Sequence, residues 1–219
     1  GGGLNLYDKE KETFKRFPII PNNPQALNTK NIRCIYEDKA GNLWMGSWGG
    51  GLSLLDRENF TFTHFRHNPE NLNSITNDKI NDIAEDKDGN LWIATSRGIC
   101  KFNPSQQIFT RYKHDPDNPH SLSGLVNTIF EDKTGNLWIS TGNGLNKYER
   151  KTDSFIHYKH DPNDHYSLNS NVIVNFYHDR ENILWISGKG LNKLNLGGKR
   201  FKHYKHNPNN PNSLSNNSV

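Results

Sequence analysis

Apolar residues in this chain fall in short runs, mostly β-branched or aromatic, separated by Gly, Asn, Asp and Pro. No window holds a helical period over about ten residues or more, so the pattern predicts strands and turns rather than helices. Between Leu125 and His160 the runs "LVNTIFED", "GNLWIST", "GLNKYE" and "SFIHYKH" read as four successive strands, A to D, the first alternating only loosely. Four short strands joined by tight turns predict one antiparallel sheet.

The unit recurs. "EDKAGNLWMGS" begins at Glu37, "EDKDGNLWIAT" at Glu85, "EDKTGNLWIST" at Glu131 and a divergent "HDRENILWISG" at His178. Trp44, Trp92, Trp138 and Trp185 lie 48, 46 and 47 residues apart, the length of a four-stranded propeller blade. "GGGLNLYD" at Gly1–Asp8 repeats "GGGLSLLD" at Gly49–Asp56, so the chain opens on strands C and D of a blade. The expected organisation is a half blade over residues 1–27, blades over 28–74, 75–121, 122–167 and 168–213, and the start of another at 214–219. The expected fold class is therefore all-β, a β-propeller segment of four-stranded antiparallel blades, about four and a half of them in an incomplete ring.

The recurrent string has a structural reading. In "ED-x-x-GN-LW" the Asp of each turn, Asp38, Asp86 or Asp132, is expected to accept hydrogen bonds from amides two or three residues on. Gly41, Gly89 and Gly135 would take the left-handed conformation that closes a hairpin. The turn fixes register, and a slip of one residue would turn the Trp to the wrong face. The fourth copy has Asn182 where the others have Gly, which makes its hairpin the least expected. Ile83, Ile129 and Phe176 in strand A, Leu52, Ile99, Leu145 and Leu191 in strand C, and Phe65, Tyr112, Tyr158 and Tyr204 in strand D are expected to form the core between blades.

Function is then sought where the copies differ. Trp to the strand C Gly is 7, 6, 6 and 5 residues in the four copies, so length variation collects in the B–C loop. In a propeller these loops share a face with the D–A crossovers, around the mouth of the central channel, while the A–B turns lie opposite. Their tips present Trp48, Arg97, Asn143 and Lys189, an aromatic plate with two cations and an amide, which suits an oligosaccharide, acidic ones included. A second recurrent string, beginning at His67, His114, His160 and His206, offers one His per blade. Such histidines are too dispersed to share an ion, so the string reads as a Pro- and Asn-rich crossover and no metal or other cofactor is expected.

Composition narrows the classes. The 219 residues have a mean hydropathy of -0.90, with no stretch resembling a membrane span. The formal charge of +4 is spread without blocks of one sign, which argues against a nucleic-acid partner. Cys34 and Cys100 occupy unrelated positions in the repeat and read as isolated buried thiols, with a disulfide as the alternative.

The string "EDKxGNLWIxTxxGLxxxxxxxxxFxxYxHDPxNPxSL" resembles the two-component regulator propeller repeat over essentially the whole chain. The resemblance implies an extracytoplasmic sensor region, in the periplasm or at the cell surface. Its parent would be a membrane-anchored histidine kinase, with a carbohydrate as the signal and no catalysis in this segment. Two other classes compete with it. The turn is similar to the Asp-box of sialidases, but such a site needs several convergent arginines, a Tyr nucleophile and a carboxylate partner, and Arg97 alone lies on the loop tips. The other is a protein-interaction scaffold that only mediates dimerisation of the parent receptor; separately, the half blades at both ends are expected to leave open edges through which copies pair.

Overall fold

The computed structural model describes residues 2–196 and 200–219; Gly1, where the expected half blade begins, lies outside the described residues. The chain divides into two compact units, Gly1–Arg111 and Tyr112–Val219. Among the described residues there is no helix. A two-stranded sheet, β1 (Asn5–Asp8) and β2 (Thr13–Arg16), comes first. Four meanders follow, each of four strands in chain order. The first blade is β3 (Ile32–Glu37), β4 (Leu43–Ser47), β5 (Leu52–Asp56) and β6 (Thr61–Phe65), and the second is β7 (Ile80–Glu85), β8 (Leu91–Thr95), β9 (Gly98–Asn103) and β10 (Ile108–Tyr112). The third is β11 (Val126–Glu131), β12 (Leu137–Thr141), β13 (Gly144–Glu149) and β14 (Ser154–Tyr158). The last is β15 (Ile173–His178), β16 (Ile183–Gly188), β17 (Gly190–Asn195) and β18 (Phe201–Tyr204). This is an all-β propeller segment of four-stranded antiparallel blades, as the strand pattern predicts.

Each first-to-second hairpin is organised by one aspartate. Asp38, Asp86, Asp132 and Asp179 each accept the indole N–H of the Trp six residues on, at 2.8, 2.8, 2.9 and 2.7 Å. The same carboxylates accept a backbone amide four residues on, from Asn42, Asn90, Asn136 and Ile183. Asp86, Asp132 and Asp179 also take the amide two residues on. The expected two-or-three-residue reach is thus corrected to two and four, because the loop wraps around the carboxylate and the second contact falls where the chain re-enters its strand. Trp44, Trp92 and Trp138 are 2%, 0% and 3% exposed, so each N–H needs this partner.

Gly41, Gly89 and Gly135 have φ of 85°, 79° and 80°. Asn182 stands in the same place at φ 62° and forms the same hairpin, contrary to the expectation that losing the Gly would weaken it. Asn tolerates the left-handed region better than most residues, and its Oδ1 lies 2.9 Å from His178 Nε2.

The loose alternation of strand A is a β-bulge. Register shifts after Ile32, Ile80, Val126 and Ile173 leave Arg33, Asn81, Asn127 and Val174 as the extra residue in each copy.

Both faces of a blade are apolar, because each must pack. Leu52 and Phe65 are paired neighbours on the same face as Trp44, and this face meets Ile80, Ile83 and Phe102 of the second blade. The opposite face, with Met45, Leu55 and Phe62, meets Leu4 and Phe17 of the opening half blade. In the second unit Trp138 and Leu145 pack on Leu184, Ile186, Leu194 and Phe201 in the same way. The expected strand A and C positions are therefore core, except that Leu191 and Phe176 are only partly buried. The strand D expectation holds in part: Phe65 packs on Phe102 and Tyr158 on Phe201 of the following blade, but neither is fully buried. Phe65, Tyr112, Tyr158 and Tyr204 are half-buried, whereas Phe62, Phe109, Phe155 and Phe201, three residues earlier and on the other face, are buried. At three of the four half-buried positions a Tyr must keep its hydroxyl wet or bonded, whereas the fully buried face carries Phe throughout.

The crossovers contribute Leu27, Ile75, Leu122 and Leu168, all buried at 0–1% exposure. Three of them are held by recurrent histidines, His67 on Ile75, His114 on Leu122 and His160 on Leu168, each with Nδ1 2.6–2.8 Å from the carbonyl eight residues on, and His206 makes the same contact with Leu214. Those nitrogens donate to carbonyls, so they are not ligands.

The turn carries three testable consequences. Burial raises the carboxyl pKa of Asp38 and Asp132, but hydrogen bonds outweigh it, from the indole and the following Asn at Asp38 and from the Thr134 hydroxyl, the indole and Asn136 at Asp132, and both sit below their ordinary value. A depressed carboxylate contributes stability above its unfolded pKa of about 3.9 and loses it as pH falls through the folded value. The urea midpoint, followed by Trp fluorescence, should therefore drop below about pH 4. Asp132→Ala should cost about 2–4 kcal/mol at neutral pH by leaving the Trp138 N–H buried without an acceptor, and an unchanged midpoint in this variant would refute the role. At the fourth turn, Asn182→Gly should stay within about 0.5 kcal/mol of the parent chain. Asn182→Ala should lose about 1–2 kcal/mol in the same melt.

Candidate ligand-binding site

The loop between β4 and β5, "SWGGG", is the longest of its kind in the four copies and is braced from several directions. Its amides at Gly49 and Gly51 donate to the Asp78 carbonyl at 2.9 and 3.0 Å, and Trp48 N–H donates to the Asn31 carbonyl at 2.9 Å. Arg66 Nη2 donates to the Gly49 carbonyl at 3.0 Å while pairing with Asp78 Oδ2 at 2.9 Å. Asn28 Nδ2 donates to the Gly50 carbonyl at 2.8 Å. A Cβ on Gly50 would come within 2.5 Å of Asn28 Oδ1 and Thr29 Cγ2, so the loop needs glycine there to lie this close to the crossover. The bracing holds Trp48 out from the sheet at 44% exposure, unlike the turn-bound tryptophans.

Trp48 borders a cleft of about 430 Å³ with Asn31, Ile32 and Arg33. Arg33 is the bulge residue of β3, and the bulge aims it at the cleft instead of along the ladder. Lys79 pairs its backbone with Trp48 in an isolated bridge and places Nζ 5.2 Å from the indole centroid, within cation–π range. The Lys79 carbonyl also accepts Ser96 N–H at 3.0 Å, tying the loop that carries Arg97 to the same crossover. An exposed indole flanked by two cations and an amide, on a loop that does not need to be ordered on binding, can stack a sugar ring and hold an anionic substituent.

Of the four loop-tip residues, Trp48 lines this cleft and Arg97 sits exposed on the adjoining loop of the same unit, outside the lining. Asn143 and Lys189 belong to the second unit. Asn143 is exposed, but its Nδ2 donates to the Ser123 carbonyl at 3.2 Å, and Lys189 is exposed beside a bridge to Ser218. Sequence reasoning missed Arg33 and Lys79. The broken alternation of strand A was the signal for Arg33; Lys79 left none, since only its pairing with Trp48 brings it in.

The cysteines are both free thiols. Burial, with the Asp82 carboxylate second, pushes the Cys34 pKa up to about 12, while Cys100 accepts the Thr76 amide at 3.0 Å. Neither is poised as a nucleophile.

Residues 26–49, 74–97 and 121–143 match the two component regulator propeller family model, each match running from the crossover to the tip of the loop after the second strand. Over these three segments, about a third of the chain, the sequence matches the two component regulator propeller repeat. Among solved structures it is similar to a chain described as the extracellular domain of the hybrid two component system BT3049 of B. thetaiotaomicron. That match has a TM-score of 0.76 and 25% identity over 99% of this chain and 27% of the other. The extracellular domain described for BT4673 of the same organism matches at a TM-score of 0.60 and 18% identity, over 99% of this chain and 34% of its own. The repeat segment thus spans between about a quarter and a third of those sensor domains. A virginiamycin B lyase of Staphylococcus aureus shares the fold alone, at 13% identity and a TM-score of 0.62, over 92% of this chain and 62% of the lyase. No curated protein sequence matches the chain significantly.

Proposed function

We propose that this chain is a ligand-sensing propeller segment of an extracytoplasmic sensor in a two-component system, with a saccharide as the signal. The parent is read as a membrane-anchored histidine kinase, in keeping with the hybrid two component systems whose extracellular domains it resembles. The observation that carries the ligand reading is Trp48, half-exposed on a braced loop and flanked by Arg33 and Lys79. The segment is read as non-catalytic. The cleft lining of Asn31, Ile32, Arg33 and Trp48 offers no general acid or base, and the likeness to a lyase extends to the fold alone.

A second reading, association between copies, is favoured by the outer blade faces. On the last blade Trp185 is only half-buried and borders an opening of about 550 Å³ with Tyr177, Leu191 and Val219, and Tyr177 and Val174 are 66% and 61% exposed. At the other end Leu6, Tyr7 and Phe14 of the half blade are exposed. These are the surfaces through which self-association is proposed.

Isothermal titration with oligogalacturonate, xylan and glucan oligosaccharides should give heat with at least one of them. Trp48→Ala should weaken that binding by about tenfold or more, and Arg33→Ala should weaken an acidic ligand preferentially. Silence across the panel, or unaltered affinity in Trp48→Ala, would remove the saccharide reading from this cleft. Light scattering should show concentration-dependent dimers that Tyr177→Glu reduces. A strictly monomeric chain at high concentration would discard the association reading.

A further inference from the structure

The last blade carries a cleft whose lining is not repeated in the third blade. It encloses about 540 Å³ and is lined by His165, Tyr166, Arg200, Lys202, His203 and Lys205, together with a buried Phe. Tyr166 comes from the crossover that leads into this blade, and the cations come from β18 and the residues flanking it. The backbone joins them, since Phe201 N–H donates to the Tyr166 carbonyl at 3.0 Å. His203 is fixed by its Nε2, 2.5 Å from the Ser167 carbonyl, and its ring lies 6.1 Å from that of His165. The Arg200 guanidinium sits 4.6 Å over the Tyr166 ring, which orients its planar fork of donors without consuming them.

Comparison within the chain shows what is private to this blade. At the positions of Arg200, Lys202, His165 and Tyr166 the third blade has Ser154, Ile156, Pro119 and His120. His203 and Lys205 correspond to His157 and Lys159 there, so the scaffold is shared; the last blade adds two cations and the His165 ring and has a phenol where the third has the His120 imidazole. Among the described residues no carboxylate forms an ion pair with Arg200, Lys202 or Lys205. Asp164 accepts the Tyr166 amide at 2.9 Å and does not line the cleft. Three cations without a carboxylate partner among the described residues, of which Lys202 places its Nζ 5.2 Å over the Tyr204 ring, stand beside an exposed Tyr166 ring that gives an arriving anion a flat neighbour to stack on.

We infer that this cleft is a second binding site, for an acidic saccharide whose carboxylate or sulfate is held by Arg200 and Lys202 while its ring lies against Tyr166. The site uses none of the residues of the Trp48 cleft, so either can fail without the other.

The test uses the whole chain in a Trp48→Ala background, titrated with trigalacturonate, a sulfated disaccharide, neutral maltotriose and inorganic sulfate. At least one of the two acidic saccharides should bind, with affinity falling as salt is raised, and maltotriose should not. Arg200→Ala and Tyr166→Ala should each weaken it by about tenfold, the loss of one charge-assisted bond or one stacking partner. Both side chains are exposed, and Lys202→Glu gives a third variant that keeps the strand while reversing the charge. Absence of binding by both acidic saccharides, equal binding of maltotriose, or unaltered affinity in all three variants would overturn the assignment. Inorganic sulfate binding as tightly as the saccharides would overturn the saccharide part by reducing the site to a bare cluster of charge.

Discussion

The hydrogen bond from each tryptophan indole to the aspartate six residues before it is the constraint on which the rest of this structure depends. One carboxylate closes the hairpin through the backbone amides of its own loop and also sets the direction of the largest side chain in the blade. Register and side-chain orientation are therefore decided together by a single local group. A strand slipped by one residue would lose the indole contact and turn its apolar set to the wrong face. The last copy shows that the device matters more than the string: glycine and asparagine are both gone from their usual places, yet Asp179 still holds Trp185 and Asn182 supplies the left-handed residue.

Once the orientation is set, packing follows from the need of a thin sheet to bury both faces. Within the first unit the Trp face of the first blade takes the second blade and its opposite face takes the half blade, and within the second unit the Trp face of the third blade takes the last. The crossovers complete this by sinking a Leu or Ile into the core while a histidine fastens the loop above it. Where no blade follows among the described residues, the same face that is buried at Trp44 and Trp138 stays partly open at Trp185.

Because turns, tryptophans and crossovers are committed to folding, chemical variety is confined to positions that the repeat leaves free. These are the loops after the second strand, the bulge residue of the first strand, and the outer strand with its crossover. Trp48, Arg33 and Lys79 draw on the first two and a crossover residue, and the cleft at Tyr166 and Arg200 draws on the third. Length also matters. One extra residue in "SWGGG" lets Trp48 stand clear of the sheet, and the glycines let the loop settle against Asn28 and Asp78.

The sequence alone was enough for the fold class, the strand order, the hairpins and the faces of the tryptophans. Each of these is written in spacing within about fifty residues and is governed by turn chemistry and a period of two. It also singled out Trp48 as a loop-tip residue outside the core, where the structure leaves it 44% exposed. It could not show that the aspartate reaches the indole, that strand A is bulged, or that the fully buried aromatics of strand D are Phe62, Phe109, Phe155 and Phe201 rather than their neighbours three residues on. Nor could it bring Lys79 to Trp48, or Arg200 to Tyr166 across 34 positions of chain. Those meetings depend on how a crossover lies against a loop or an outer strand, and that is settled by packing in three dimensions, where no local periodicity leaves a trace.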